Sequence, residues 1–207
     1  MAQFDANAPV TSEAAQSAAA LPVYKADGST VPFGDLVRPN EGGTIVVFIR
    51  HFGCGMCQDF VVSLDEHVDA SKLLEQKKQL IVVGCGSGKL VGPYKDILKS
   101  PFEIYADPDL GVYKTLGLTL RSLDRGDDKN IPSYVKQSFA AGLVTSLGRI
   151  FKMRTLANVG PITQMGGEFY FGPDMEVRWF HRMQNTRGHT EIKELLDRVD
   201  ASAAYKP

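Results

Sequence analysis

Cysteine is scarce and odd in number, with three in 207 residues. Three cannot build the paired framework of a disulfide-stapled secreted domain. A charge excess of one sign is also missing. The net charge is −1, and no basic stripe interleaves with aromatics, so nucleic acid is not an expected partner. No apolar run reaches the length of a membrane span, and no transmembrane segment is expected. The opening Met1-Ala2-Gln3-Phe4-Asp5 lacks a basic n-region and an apolar h-region, which reads as no secretory signal. A reducing compartment, most simply the cytoplasm, fits these absences. Metal ligands are short too: one CxxC supplies two thiolates, and no second pair at metal spacing joins it, so the expected metal is none.

What is present is an ordinary globular composition, 43% hydrophobic and 23% charged, enough for one domain with a full core. Residues 1–20 read as an N-terminal extension, rich in Ala, Ser and Gln, with a short helix over Ala14–Ala20. Residues 21–207 read as one domain. Leu21–Tyr24 forms a short strand, and Val31–Leu36 a connector into the first central strand. Thr44–Ile49 and Gln79–Gly84 are continuous β-branched apolar runs, the signature of strands buried on both faces. Helices are expected from Cys54 to Val68 and from Leu90 to Ser100, with a third strand at Ile104–Asp107. This β-α-β-α-β order implies a mostly parallel sheet. Helical spacing over Tyr134–Lys152 reads as a helical insertion within about 118–160. A hairpin at Gly166–Phe171 and Glu176–His181, then a helix over Thr190–Ala201, close the chain.

The richest stretch is Ile49-Arg50-His51-Phe52-Gly53-Cys54-Gly55-Met56-Cys57. A strand breaks at glycine and opens into a helix at Cys54. The first N–H groups of a helix lack intrahelical partners and carry partial positive charge, so a thiolate there is stabilised and its pKa falls. Cys57 is one helical turn away, within reach of a disulfide step. The stretch reads as a redox site.

Several blocks together resemble the AhpC/TSA antioxidant-like (peroxiredoxin-like) family. They are Arg50-His51-Phe52-x-Cys54-x-x-Cys57, Val83-Gly84-Cys85-Gly86-Ser87, Tyr105-Ala106-Asp107-Pro108, Tyr113-Lys114-x-Leu116-Gly117, Gln164-x-Gly166-Gly167-Glu168-Phe169 and His181-Arg182-Met183-x-Asn185-Thr186-Arg187-x-His189. The resemblance runs over roughly residues 20–200. It implies a thioredoxin-like α/β fold, three-layered with a central mixed sheet, carrying a strand-to-helix CxxC and a helical insertion before the last hairpin. The wider group includes relatives that reduce prostaglandin endoperoxides. The chain departs from the family's PxxxTxxC pattern, with Val47 and His51 at the Pro and Thr positions. The catalytic arginine that the resemblance implies has four candidates: Arg50, Arg149, Arg154 and Arg178.

The expected activity is therefore a thiol-dependent oxidoreductase that reduces peroxides or lipid-type (endo)peroxides. Cys54 is the expected nucleophile. Cys57 either resolves the sulfenic acid or packs under the helix. Cys85 is a third thiol at a strand end, where functional groups gather, or a packed structural one. His51, as imidazolium, would lower the thiolate pKa or protonate a leaving alkoxide; alternatively it turns elsewhere. Gln164 offers an amide to substrate or braces its loop. Gly166 and Gly167 allow close backbone approach or form a bulge. Tyr134, Phe139 and Met153 line a pocket under the insertion or simply pack. His181 and His189 read as structural or surface residues, and Trp179 as core. No bound cofactor is expected. An external dithiol from the thioredoxin or glutathione system would act as reductant, so a redox partner protein is implied. The substrate would be a small-molecule peroxide or a lipid-like molecule, and a homodimer is compatible with all of this. Two rival readings are a biosynthetic enzyme acting on a lipid or terpenoid, and a non-catalytic thioredoxin-like binding module.

Overall fold

The computed structural model describes residues 4–135, 148 and 158–207. A seven-stranded mixed sheet runs in the order β2-β1-β5-β4-β3-β6-β7. Its strands are β1 (Pro22–Tyr24), β2 (Thr30–Pro32), β3 (Gly43–Phe48), β4 (Lys78–Gly84), β5 (Glu103–Ala106), β6 (Gly167–Phe171) and β7 (Val177–Arg182). The central β3, β4 and β5 are parallel; β6 joins β3 antiparallel and continues into β7 through a hairpin.

The side-chain alternation of β3 divides the core. Ile45, Val47 and Ile49 face one cluster, formed with helices α3 (Gly55–His67), α5 (Val91–Leu98) and α7 (Ile192–Arg198). Val46 and Phe48 face the other, with α1 (Ser12–Ala19), α2 (Phe33–Val37) and α6 (Gly111–Thr115). Strands buried on both faces need no polar alternation, which is why all six β3 residues are buried. A short α4 (Ala70–Glu75) leads into β4.

The helix α3 starts where glycine and cysteine interrupt the β-branched run. It buries Phe60, Val61 and Leu64 against the sheet, each worth about 1.5–3 kcal/mol as area removed from water. It stops at Val68, whose extended backbone pairs with Tyr205.

Two details differ from the sequence expectation, and a third expectation lies largely outside the described residues. Val31–Leu36 is not a plain connector: Thr30–Pro32 pairs with β1, and Phe33–Val37 is a one-turn helix that buries Phe33 and Val37. Five residues are too few for a readable helical period. The hairpin's register shift lies between Tyr170 and Phe171, not at Gly166 and Gly167. Of the helix expected over 134–152, only Tyr134, Val135 and Gly148 belong to the described residues; Phe139, Met153, Arg149 and Arg154 lie outside them. Among the described residues, no helix is long and apolar enough to cross a membrane.

Candidate thiol redox site

Cys54 is the N-cap of α3, with an extended backbone. Its Sγ accepts the Cys57 backbone N–H at 3.4 Å and the Arg50 Nη1 at 3.4 Å. The Arg50 guanidinium is braced from behind, Nε donating to the Gln164 carbonyl at 3.1 Å and Nη2 to the Ile162 carbonyl at 2.7 Å. The thiol is 4% exposed. The hydrogen bond from the Cys57 side chain, followed by the Arg50 charge and the Cys57 N–H, holds Cys54 down at about 6 against the opposing effect of burial.

Cys57 is fully buried, and its Sγ accepts the Arg50 backbone N–H at 3.4 Å. Burial and the neighbouring Cys54 push its pKa well up. The two thiols are thus differentiated, one anionic near neutral pH and one a hydrogen-bond donor.

Cys85 ends β4 on the other sheet face. Its thiol donates to the Arg50 carbonyl at 2.9 Å, and burial raises it to about 12. Arg50 therefore touches all three cysteines, through its guanidinium, its N–H and its carbonyl. Of the four candidate arginines, Arg50 sits at the thiol, while Arg178 pairs with Asp174 near the hairpin turn.

His51 is buried, and burial followed by the Arg50 charge lowers its pKa to about 4. It is neutral near pH 7. Of the two readings of His51 the imidazolium is disfavoured, and the cation at the sulfur is the guanidinium. His51 Nδ1 has no partner among the described residues.

Gln164 is buried and donates its Nε2 to the Leu118 carbonyl at 2.9 Å and to the Met165 carbonyl. It braces the loop, although its Oε1 has no partner among the described residues. Gly166 and Gly167 serve close approach. A Cβ at Gly166 would lie 1.9 Å from the Phe48 carbonyl oxygen, and one at Gly167 would lie 2.2 Å from that of His181. Tyr134 is 1% exposed within the α3-side cluster, its ring 5.0 Å from Phe60. Its hydroxyl donates to the Arg187 carbonyl and accepts the His189 N–H at 3.1 Å. Of the two readings of Tyr134, pocket lining or packing, these contacts favour packing in the core.

A second polar cluster lies under α3, and its hub, Glu168, carried no expected role. Strand pairing sets Val47, Glu168 and His181 side by side across β3, β6 and β7, on the face covered by α3. The fully buried Glu168 carboxylate accepts from His181 Nδ1 at 2.9 Å, Thr190 N at 3.3 Å and Thr190 Oγ1 at 3.0 Å, and also pairs with His189 Nδ1. Burial opposes its charge, but His189 and His181 outweigh burial and hold it at about 2. His189 is buried, not a surface residue, and stacks on Phe60 with ring centroids 4.2 Å apart. The available signal was a lone glutamate inside an apolar strand, followed by two histidines in the closing motif. Among the described residues, no cluster of His, Cys, Asp and Glu has the arrangement of a metal site.

A family model described as AhpC/TSA antioxidant enzyme matches residues 67–185, a span that begins past the CxxC. Peroxiredoxin-like 2C of Homo sapiens is 34% identical over 185 residues, covering 89% of this chain and 80% of that protein. The chloroplastic thioredoxin-like protein AAED1 of Arabidopsis thaliana is 28% identical over 116 residues, covering 53% of this chain and 44% of its own length. Among solved structures, the bacterioferritin comigratory protein of Xanthomonas campestris, studied for alkyl peroxide reduction, superposes with a TM-score of 0.57 at 11% identity, covering 97% of this chain and 98% of that one. Peroxiredoxin Q of the same organism superposes with a TM-score of 0.56 at 10% identity, covering 91% and 93%. At such identities the likeness to these structures is one of fold.

Proposed function

Because the chain belongs to the AhpC/TSA antioxidant (peroxiredoxin-like) family of the thioredoxin-like superfamily, and thereby has a thiol-based redox role, we propose that it reduces peroxides through Cys54, with Cys57 as the resolving thiol. The observation that carries this reading is the Cys54 sulfur held between the Cys57 N–H and the Arg50 guanidinium.

In this mechanism the Cys54 thiolate attacks one oxygen of the O–O bond. That bond breaks, the second oxygen leaves as alkoxide and takes a proton, and the sulfur is oxidised to a sulfenic acid. The braced guanidinium stabilises the negative charge shifting from sulfur to oxygen, as a pre-positioned cation does in a site sheltered from water. Cys57 then attacks the sulfenic sulfur; the S–S bond forms and water leaves. An external dithiol, from a thioredoxin or glutathione system, returns both thiols by exchange. Substrates are small peroxides or lipid-type (endo)peroxides, and a reducing compartment such as the cytoplasm suits the cycle.

The test is an intact-mass time course after adding an organic hydroperoxide. Wild type is expected to lose two hydrogens, and Cys57→Ser to gain one oxygen that Cys54→Ser does not gain. An unchanged mass in wild type, with peroxide unconsumed, overturns the proposal.

A further inference from the structure

Cys57 poses a chemical problem. It must lose a proton to close the disulfide, yet it is fully buried and its thiol is disfavoured as an anion. Buried His189 lies beneath the same helix. Its ring lies flat on Phe60, with planes 4° apart, and Phe60 is one helical turn beyond Cys57 on the same inner face of α3. Its Nδ1 is engaged by Glu168, which fixes the ring's orientation, while its Nε2 is buried and has no partner among the described residues. Tyr134 locks the backbone of His189 and packs at 6.1 Å from its ring. A carboxylate that orients an imidazole through one nitrogen and leaves the other free is the arrangement that makes an imidazole a general base.

We propose that His189, positioned by Glu168, accepts the Cys57 thiol proton during disulfide closure and returns it to the leaving oxygen. The step balances within the protein. The Cys57 S–H proton moves to His189 Nε2, the Cys57 sulfur bonds to the Cys54 sulfur, the S–O bond breaks, and the imidazolium protonates the departing hydroxide to water. Glu168 stabilises the imidazolium while it exists. Among the described residues, the titratable groups of this cluster are Glu168 of β6, His181 of β7 beyond it, Cys54 of α3 and Tyr134, with Cys57 and Glu191 reaching Tyr134. An open hollow of about 490 Å³, lined in part by Trp179, His181, His189 and Glu191, flanks the outer side of this cluster.

This inference rests on Cys57 being the resolving thiol, and two measurements separate the two ideas. The first follows the sulfenic acid of wild type and of His189→Gln to disulfide by rapid quench and mass. His189→Gln is expected to slow closure about 100-fold near neutral pH, with recovery in alkali, while peroxide attack on Cys54 changes far less. The second titrates the ultraviolet thiolate absorbance of Cys57 in a Cys54→Ser, Cys85→Ala background. There the thiolate fraction at mildly alkaline pH is expected to fall about tenfold when His189→Gln or Glu168→Gln is added. An unchanged pH profile in both measurements overturns the proposal. If wild type forms no disulfide at all, the resolving role of Cys57 falls, and the thiolate titration alone decides whether His189 receives its proton. His189→Asn keeps the answer available should one variant fold poorly.

Discussion

Arg50 donates from its guanidinium to Cys54 and from its backbone N–H to Cys57, each at 3.4 Å. One residue at the end of β3 therefore addresses both sulfurs with different groups. Only the contact with Cys54 depends on the side chain.

Arg50→Lys should act chiefly on Cys54, the one sulfur that the side chain bonds. A lysine keeps the charge but cannot also bond the Ile162 and Gln164 carbonyls in a fixed fork. The alkylation midpoint of Cys54, near 6 with the guanidinium in place, is expected to rise, and peroxide consumption to fall about 10–100-fold, as when one positioned electrostatic donor is lost. Iodoacetamide labelling across pH, read by mass, checks this.

The stability of the reduced protein should depend on pH in a defined window. The folded Cys54 pKa lies below its ordinary value of 9.0, at about 6, so its stabilising contribution is present above about 9 and is lost as pH falls through about 6. Cys85 is shifted the other way, to about 12, so its contribution is complete below 9 and fades as pH rises toward 12. Urea denaturation under reducing conditions is expected to show stability rising between pH 6 and 9. Cys54→Ser should flatten that rise, and Cys85→Ala should leave it in place.

Two glycine substitutions should differ sharply. At Gly166 a Cβ meets the Phe48 carbonyl oxygen at 1.9 Å, a backbone atom that cannot retreat without breaking the β3–β6 pairing. Gly166→Ala is expected to cost more than about 3 kcal/mol, at the upper end of backbone and packing effects. Gly92 sits in α5 with its nearest neighbour, the Ala26 Cβ, at 3.8 Å. Gly92→Ala should be neutral or stabilise by roughly 0.5–1 kcal/mol. Midpoints of urea unfolding decide both.

Tyr134 should behave as core. Tyr134→Phe removes the hydroxyl that links the Arg187 carbonyl to the His189 N–H and leaves the latter unsatisfied, an expected loss of about 1–3 kcal/mol. Kinetically, Tyr134→Ala should reduce turnover of hydrogen peroxide and of a bulky hydroperoxide alike. A rise in KM confined to the bulky substrate would instead return Tyr134 to a substrate pocket.

Much of this was readable in the chain. β3 and β4 announced themselves as uninterrupted β-branched runs, and Cys54 as a helix start behind a glycine. The short β2–α2 unit was not legible, because five residues carry no period. Nor was the placement of Arg50 rather than Arg178 at the thiol, since it depends on carbonyls at Ile162 and Gln164 that return to the site more than 100 positions later. Glu168 escaped for a similar reason. Its meaning lies in a cross-strand row with Val47 and His181, and in a turn that brings His189 beneath α3. Local pattern does not encode that register.

The row has a consequence for folding fidelity. Strand side chains alternate, so sliding β6 by one residue would turn Glu168 away from its four donors and into the aromatic packing of Phe33, Phe48 and Tyr113 on the opposite face. A bare carboxylate among phenyl rings is costly enough to exclude that pairing. The glutamate thus acts as a proofreader of strand alignment, and a chain that reaches its native register has, by the same event, gathered both histidines around one buried carboxylate.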